Sequence, residues 1–394
     1  MSVESLDPYE ISCLEVGIEH TQAENRIDAG LSIIKLLQAT YLSPEERQIL
    51  SNLLLKLTVD PVKFVRERMV EELRDLPGLA EDLVFSIIAD DDELALPFLA
   101  QTRSLNAKMM TAIAKVGDAG RKLVIAARGD CALSAAEHLI QTGTPDIIAE
   151  LLENFAVPLT AEHYELIISR HGTDKDISDR LGRRPDLPAR HKVMMARAVS
   201  DELRSSLDSG DVAGTIRTQR AIDAAEEEAI LKISATLAPV EQSNMMSYLC
   251  DLQQLTPSIV VRAACIGEMP FLESALSLLS GLSRSRVRNL MYGQGALSIR
   301  AVHARAKLPK VLFNPLRLAA DAERERDAAG LPKSADHHGK QMVEAAITHY
   351  ESFTPEQRRE ILQLLETYGS PKTRELASHL LGEEDIGIKS ALAA

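Results

Sequence analysis

The chain has 394 residues, enough for about two or three ordinary domains, and 45% of them are apolar, which argues against a disordered protein. Aromatics supply only 4% and tryptophan is absent, so Leu, Ala, Ile, Val and Met, mostly strong helix formers, must fill the interior. A net charge of −14 counts against nucleic acid or anionic lipid as a partner of the molecule as a whole.

Four cysteines, Cys13, Cys131, Cys250 and Cys265, form no CxxC pair and have no metal-like spacing with histidine. They read as reduced, mostly buried thiols of a cytoplasmic protein. The opening "MSVESLDPYE" lacks the basic flank and apolar core of a signal peptide, and no apolar run reaches the length of a membrane span.

Residues 1–42 read as an N-terminal helical segment or cap. The regular part begins at "LSPEERQILSNLLLKL", with Ser43 as N-cap, Pro44 at the first helical position and Glu46 three residues after the cap. The serine oxygen accepts from a free helix N–H while the glutamate reaches back, so two orphan donors are satisfied. Helices are then expected in pairs: 44–57 with 61–75, 79–89 with 92–102, 106–115 with 119–128, 132–141 with 145–153, and a further helix at 160–170. The 61–75 helix places Val62, Val65, Met69, Val70 and Leu73 on one side and Arg66, Glu67, Glu71 and Arg74 elsewhere, an amphipathic surface pattern. Prolines cluster at helix starts rather than interiors, and few stretches alternate with a period of two, so almost no sheet is expected.

"LLLKLTVDPVKFVRERMVEEL" resembles a HEAT repeat, in which two antiparallel helices meet at a short turn, Asp-Pro opens the second helix and Val-Arg follows. Asp60, Pro61, Val65 and Arg66 stand at those positions. A second copy resembles it with its acidic turn at Asp90, a step of 30 residues, and a third around Asp130, a step of 40. "IIAELLENFAVPLTAEHYELII" is a weaker fourth. The later copies lack the arginine, which leaves an Asp–Arg ladder between repeats without its cation.

The whole chain also resembles an uncharacterised alphaproteobacterial family of helical-repeat proteins, a domain of unknown function. The carriers are "ELALPFLAQTRSL", "ENFAVPLTAEHYELI" and "LTPSIVVRAACIGEMPFLESALSLLSGLSRSRVRNLM". That resemblance implies HEAT-like helices first, a helical second half and no particular activity.

The acidic run "DDDE" (Asp90–Glu93) lacks the alternation, glycine and distal glutamate of an EF-hand and reads as helix-start acids that complement the dipole. "RHGTDKDISDRLGRRPDLPARH" is rich in charge, Gly and Pro, so 171–191 is expected to be a charged loop between the repeat region 43–170 and a helical lobe 192–329. In that lobe helices are expected near 189–207, 212–237, 240–254, 256–266, 270–280, 283–292, 295–307 and 309–329. "GQGALS" (Gly293–Ser298) has glycines before a helix but neither a Lys-Ser/Thr ending nor a preceding strand, so it reads as a helix corner rather than a phosphate loop.

From Arg284 to Arg317 the charged residues are Arg284, Arg286, Arg288, Arg300, Arg305, Lys307, Lys310 and Arg317, with no Asp or Glu among them. Such segregation creates a local positive field able to steer an anionic or acidic partner. The plainer alternative pairs these side chains with acids of neighbouring helices, such as those of "DAAEEEA" (Asp223–Ala229).

Residues 330–394 form a last block of capped helices. "DHHGK" holds His337 and His338, which leave a helix in different directions, with His349 further on, and reads as a helix-entry pair rather than a metal site. "FTPEQRREILQLLETYG" repeats the capping device with Thr354, Pro355 and Gln357 and ends at Gly369, an expected C′ glycine. "SPKTRELASHLLG" follows, with Ser370 and Pro371 opening it and Gly382 closing it.

The expected fold is all-α: a HEAT-like helical-repeat solenoid, an α-α superhelix, with a less regular C-terminal half. The expected function is a non-enzymatic scaffold or adaptor binding a protein or peptide partner, because stacked helix pairs expose a long surface. No catalytic residue, cofactor or metal ligand is nominated. The rivals are a sensor of a small anionic ligand, nucleotide-like, held by the 284–317 region, a nucleic-acid-binding solenoid, which the acidic total and scarce aromatics disfavour, and an enzyme, for which spacing nominates no acid–base pair.

Overall fold

A computed structural model describes residues 7–38, 42–207, 212–293, 296–348 and 353–392. Among them every regular element is helical and none is a strand. The chain divides into two units, residues 1–187 and 188–394.

Among the described residues unit 1 holds six helix pairs. They are α1 (Pro8–Ile18) with α2 (Ala23–Leu37), α3 (Pro44–Thr58) with α4 (Lys63–Leu73), and α5 (Glu81–Ile88) with α6 (Asp92–Gln101). Next come α7 (Ala107–Val116) with α8 (Ala119–Ala127), α9 (Leu133–Thr142) with α10 (Pro145–Glu153), and α11 (Ala161–His171) with α12 (Lys175–Arg183). Each even-numbered helix packs on the next even one, and α1 on α3, α3 on α5, α7 on α9 and α9 on α11. One pair cannot bury its apolar face alone, and stacking completes the core. Leu50, Leu54, Leu57, Met69, Leu73, Leu83, Ile87, Phe98 and Leu99 are fully buried there. Each buried Leu or Ile side chain contributes about 1.5–3 kcal/mol.

Local chemistry sets the helix starts. Ser43 and Glu46 form the expected capping box, with the Ser43 Oγ accepting from the Glu46 N–H at 3.2 Å and the Ser43 N–H donating to Glu46 Oε2 at 2.7 Å. The 61–75 helix starts two residues later than expected. Asp60 Oδ1 accepts the Val62 N–H at 2.8 Å, which holds Val62 in an extended cap conformation, 40% exposed, while Val65, Met69, Val70 and Leu73 are buried as expected. Pro97 departs from the proline rule: it lies inside α6.

Three sequence expectations are corrected in this unit. The 171–191 segment contains α12, whose Ile177 and Leu181 are buried, so the charged stretch completes the sixth pair. A steep apolar stripe of two residues in nine carries that helix, too short to show as a sustained period. The third repeat turn is at Asp118, 28 residues after Asp90, rather than at Asp130. Arg121 settles this: its guanidinium donates to the carbonyls of Ile88 and Asp90 at 2.8 Å each and to Asp92 and Asp118, so the Asp118 turn shares an edge with the Asp90 turn. Asp130 lies on the other edge, where Arg128 joins it to the Thr102 carbonyl. By the same frame the weaker fourth copy spans the connection between two pairs.

The third correction concerns the ladder, which continues with other arginines. On the edge of the intra-pair turns Arg26 grips Asp60 with two bonds of 2.7 and 2.9 Å, and Arg66 grips Asp90 with 2.6 and 3.1 Å while donating to the Asp60 carbonyl at 2.9 Å. Arg121 follows, and Arg170 caps the α9 end at the Ile140 and Gly143 carbonyls. On the opposite edge Arg128 donates to the Leu99 and Thr102 carbonyls, and Asn154 to those of Ala126 and Arg128. Arg184 donates to the carbonyls of Leu152, Asn154 and Val157. Free carbonyls at the ends of α5, α6, α8, α9 and α10 are thus satisfied by a side chain from the following repeat.

Unit 2 begins with α13 (Ala189–Ser205) and α14 (Val212–Ala235), packed on each other, then α15 (Pro239–Asp251), α16 (Pro257–Ile266), α17 (Met269–Ser280), α18 (Arg284–Tyr292) and α19 (Ala296–Arg305). A 3-10 turn at Lys310–Leu312 leads into α20 (Phe313–Ala329), followed by α21 (Ala335–Thr348), α22 (Pro355–Tyr368) and α23 (Pro371–Leu392). Helix α16 is buried from Ile259 to Cys265 and packs on α14, α17, α20, α21 and α22. It is apolar all round, as a central helix must be, apart from Arg262, which pairs with Glu227 at 2.8 Å and lies over the Tyr368 ring.

Gly267 ends α16 at φ +80°, and a Cβ there would stand 2.8 Å from the His338 ring. Only glycine meets both demands. Gly369 stops α22 with an extended φ of −72° rather than the left-handed turn expected of a C′ glycine, and Gly382 lies inside α23 instead of closing it. The Thr354–Gln357 capping box is present, and Ser370 accepts the Thr373 N–H at 3.4 Å.

All four cysteines are free; Cys131 and Cys265 are buried but Cys13 and Cys250 are exposed. Burial pushes the Cys131 thiol up to about 11 and that of Cys265 to about 12, so both stay protonated in the core.

Candidate functional site

The basic segment is divided rather than gathered. Arg284, at the start of α18, donates to Glu273 at 3.3 Å, to Gln242 Oε1 at 3.0 Å and to the Pro270 carbonyl at 3.2 Å. Arg288 stands 3.9 Å from the same glutamate. Glu273 is buried on α17 and also accepts the Tyr292 hydroxyl at 3.0 Å. Burial and that carboxylate hold the Tyr292 phenol far above its ordinary range, so it remains a donor. Arg305 donates to the Ser280 carbonyl at 3.1 Å, capping the end of α17, and Arg300 lies over the Phe313 ring at 5.2 Å. Arg286, Lys307 and Lys310 are exposed and hold no ion pair among the described residues.

Arg317 alone of the eight lines the cavity of about 270 Å³ beside α20. Its guanidinium lies 5.9 Å from the Phe353 ring centroid and 3.8 Å from Asp321, which also accepts from Arg324 at 2.8 Å. Met291, Ile299 and Leu318 supply apolar wall, and Glu325 lines the cavity as well. Gln341 contributes a buried Oε1 that has no hydrogen-bond partner among the described residues, a costly state for a buried acceptor that a donor from water or a ligand would relieve.

Sequence reading nominated Arg317 but missed Arg324, Gln341 and Phe353. The signal for Arg324 was its distance of seven residues from Arg317 with Asp321 between them, one face of one helix. No local pattern ties Gln341 or Phe353 to that face.

The histidine pair separates as expected. His338 is buried, with Nε2 donating to the Ala264 carbonyl at 2.9 Å, and burial lowers it to about 4. His337 lies half-buried beside Lys340 and Lys372. His349, like Gln294 and Gly295 of "GQGALS", lies outside the described residues. Among the described residues no three His, Cys, Asp or Glu side chains are grouped as a metal site, and no helix is long and apolar enough to cross a membrane. The acids of Asp90–Glu93 divide as well: Asp90 serves Arg66, while Asp92 and Glu93 occupy the first turn of α6.

The model of a bacterial family, described as an uncharacterised protein conserved in bacteria (DUF2336), matches residues 94–360. No curated protein matches the chain. An engineered protein of known crystal structure aligns with 94% of this chain and 92% of its own at 14% identity and a TM-score of 0.23, too slight a likeness to carry an argument.

Proposed function

The chain belongs to this uncharacterised bacterial family, and on that premise we propose that it is a non-enzymatic cytoplasmic scaffold that binds a protein or peptide partner on a HEAT-like helical array. The observation that carries the reading is the edge of unit 1. Its turns are pinned by arginines from repeat to repeat, yet it leaves large apolar side chains, Val59, Phe64 and Val116, 59–87% exposed. A pinned surface loses little freedom on binding, so apolar contact there converts efficiently into affinity. Affinity purification at native expression tests it: a stoichiometric partner is expected, and its loss on reversing charges along this edge but not in 284–317. Recovery of no partner, with the reversals silent in vivo, would end the reading.

A second reading, a sensor of a small anionic ligand, is favoured by the cavity where Arg317 and Arg324 share Asp321 against Phe353. A nucleotide panel in a thermal-shift assay discriminates it, because a ligand at about 100 times its Kd adds about 2.7 kcal/mol to stability. Equal melting with every nucleotide would remove it.

A further inference from the structure

We propose that the α3–α4 and α5–α6 turns of unit 1 dock a basic segment of a partner protein, with an aliphatic or aromatic residue at its centre. The inference rests on the scaffold reading and names the partner's chemistry.

Val59, Val62 and Phe64 are 65%, 40% and 59% exposed within six residues of one turn. Scattered single exposures are ordinary, but three together on a fixed turn are not. The turn is fixed because the Asp60 carboxylate accepts from the Val62 N–H and from both arms of Arg26. A cleft of about 320 Å³ opens between this turn and the next, lined by Thr58, Val59, Arg66, Ser86, Ala89 and Asp90. Its hydroxyls satisfy each other, Thr58 to Ser86 at 2.9 Å.

The field around the patch is negative. The nearby cations are all engaged: Arg26 by Asp60, Arg66 by Asp90 and Arg121 by Asp92 and Asp118, while Lys63 pairs with Glu93 and stands 3.8 Å from Glu67. The side chains of Asp91, Asp92 and Glu93 remain 65–77% exposed. Residues 1–93 hold 20 acidic against 8 basic side chains, whereas the remaining 301 hold 38 against 36. Nearly all the net charge of the chain therefore lies in the segment that carries the apolar patch. Such a surface steers Lys- and Arg-rich segments and repels nucleic acid and anionic membranes. A second copy meeting it through the same edge would set like charge against like charge, which favours a different protein as the occupant.

The test uses the full chain and labelled peptides of about twelve residues, read by fluorescence anisotropy. One has Leu and Phe among lysines, one replaces Leu and Phe by Ser, and one replaces the lysines by Glu. The first is expected to bind about tenfold or more tighter than the others, and to weaken at least about tenfold when salt rises to about 0.3 M. A Val62→Ser, Phe64→Ser double variant, with helicity checked by circular dichroism, should lose about tenfold or more. No binding of the first peptide, an unchanged affinity in the double variant, or equal binding of the acidic peptide would overturn the site. Self-association abolished by the double variant would overturn it in favour of a second copy. A stoichiometric cellular partner held equally by wild type and double variant removes the docking site and leaves the scaffold reading standing. Loss of both peptide binding and any partner removes both.

Discussion

Unit 1 keeps its buried ionic contacts at the ends of helices, whereas unit 2 also places buried charges such as Arg262 and Glu273 within its helices. Arg128 and Arg184 sit one residue past their helices and reach back 26–32 residues to carbonyls and turns. In unit 2 Arg262 lies mid-helix against Glu227, Arg326 is clasped to Glu323 within α20, and Glu273 collects two arginines and a tyrosine from inside α17. The first arrangement can be repeated: one device closes each step, and the helix faces are left to apolar packing. The second needs a separate solution for each pair, which fits the less regular order of unit 2 and leaves less freedom to add or remove a helix.

Breaking one rung of unit 1 should have the largest effect. Arg184 is 2% exposed, and Arg184→Ala leaves the Leu152 and Val157 carbonyls without their donor and takes one donor each from the Asn154 carbonyl, the Tyr164 hydroxyl and Asp186, a cost of about 3–5 kcal/mol in urea unfolding. Arg184→Lys should recover little, since a point charge cannot replace the planar fork. A loss below about 1 kcal/mol would mean that the arginines do not fasten the repeats. In unit 2 the matching break is steric: Gly267→Ala meets both the left-handed φ and the His338 ring and should cost about 2–4 kcal/mol.

Acid should distinguish the units next. His338 is buried neutral, with its folded value lowered to about 4, so the unfolded chain takes up the proton first as pH falls below about 6.5. The stability from this group is complete at neutral pH, declines below about 6.5 and is lost through about 4, with about 2 kcal/mol gone by pH 5. Comparing wild type with His338→Gln at pH 7 and pH 5 isolates it; an identical pH dependence in the two would refute the assignment. The smallest change is expected at the exposed pair: Lys63→Ala breaks the link to Glu93 and should leave the unfolding midpoint where it was.

Much of this architecture was legible locally. Capping boxes at Ser43 and Thr354 and the 3.6-residue stripes place helices within a few residues of where they lie. What failed was pairing over distance. Arg128 and Arg184 share an Arg-x-Asp pattern just past a helix, with Asp130 and Asp186, but Arg121 and Arg170 lack it. What places each cation is a carbonyl about 30 residues away, and no short window contains both. The same blindness shifted the third repeat from Asp118 to Asp130, since an acidic turn looks alike on either edge. At the basic segment, eight cations without an intervening acid suggested one field, but Glu273, eleven residues before the first of them, neutralises part of it.

The central claim is that partner recognition belongs to the acidic, apolar edge of unit 1 rather than to the arginines of unit 2. Photo-crosslinking in cells compares them directly, with benzoylphenylalanine placed at Phe64 in one strain and at Arg286, also exposed, in another. The account predicts a discrete protein adduct from position 64 and none from position 286. An adduct from position 286 with position 64 silent would contradict it.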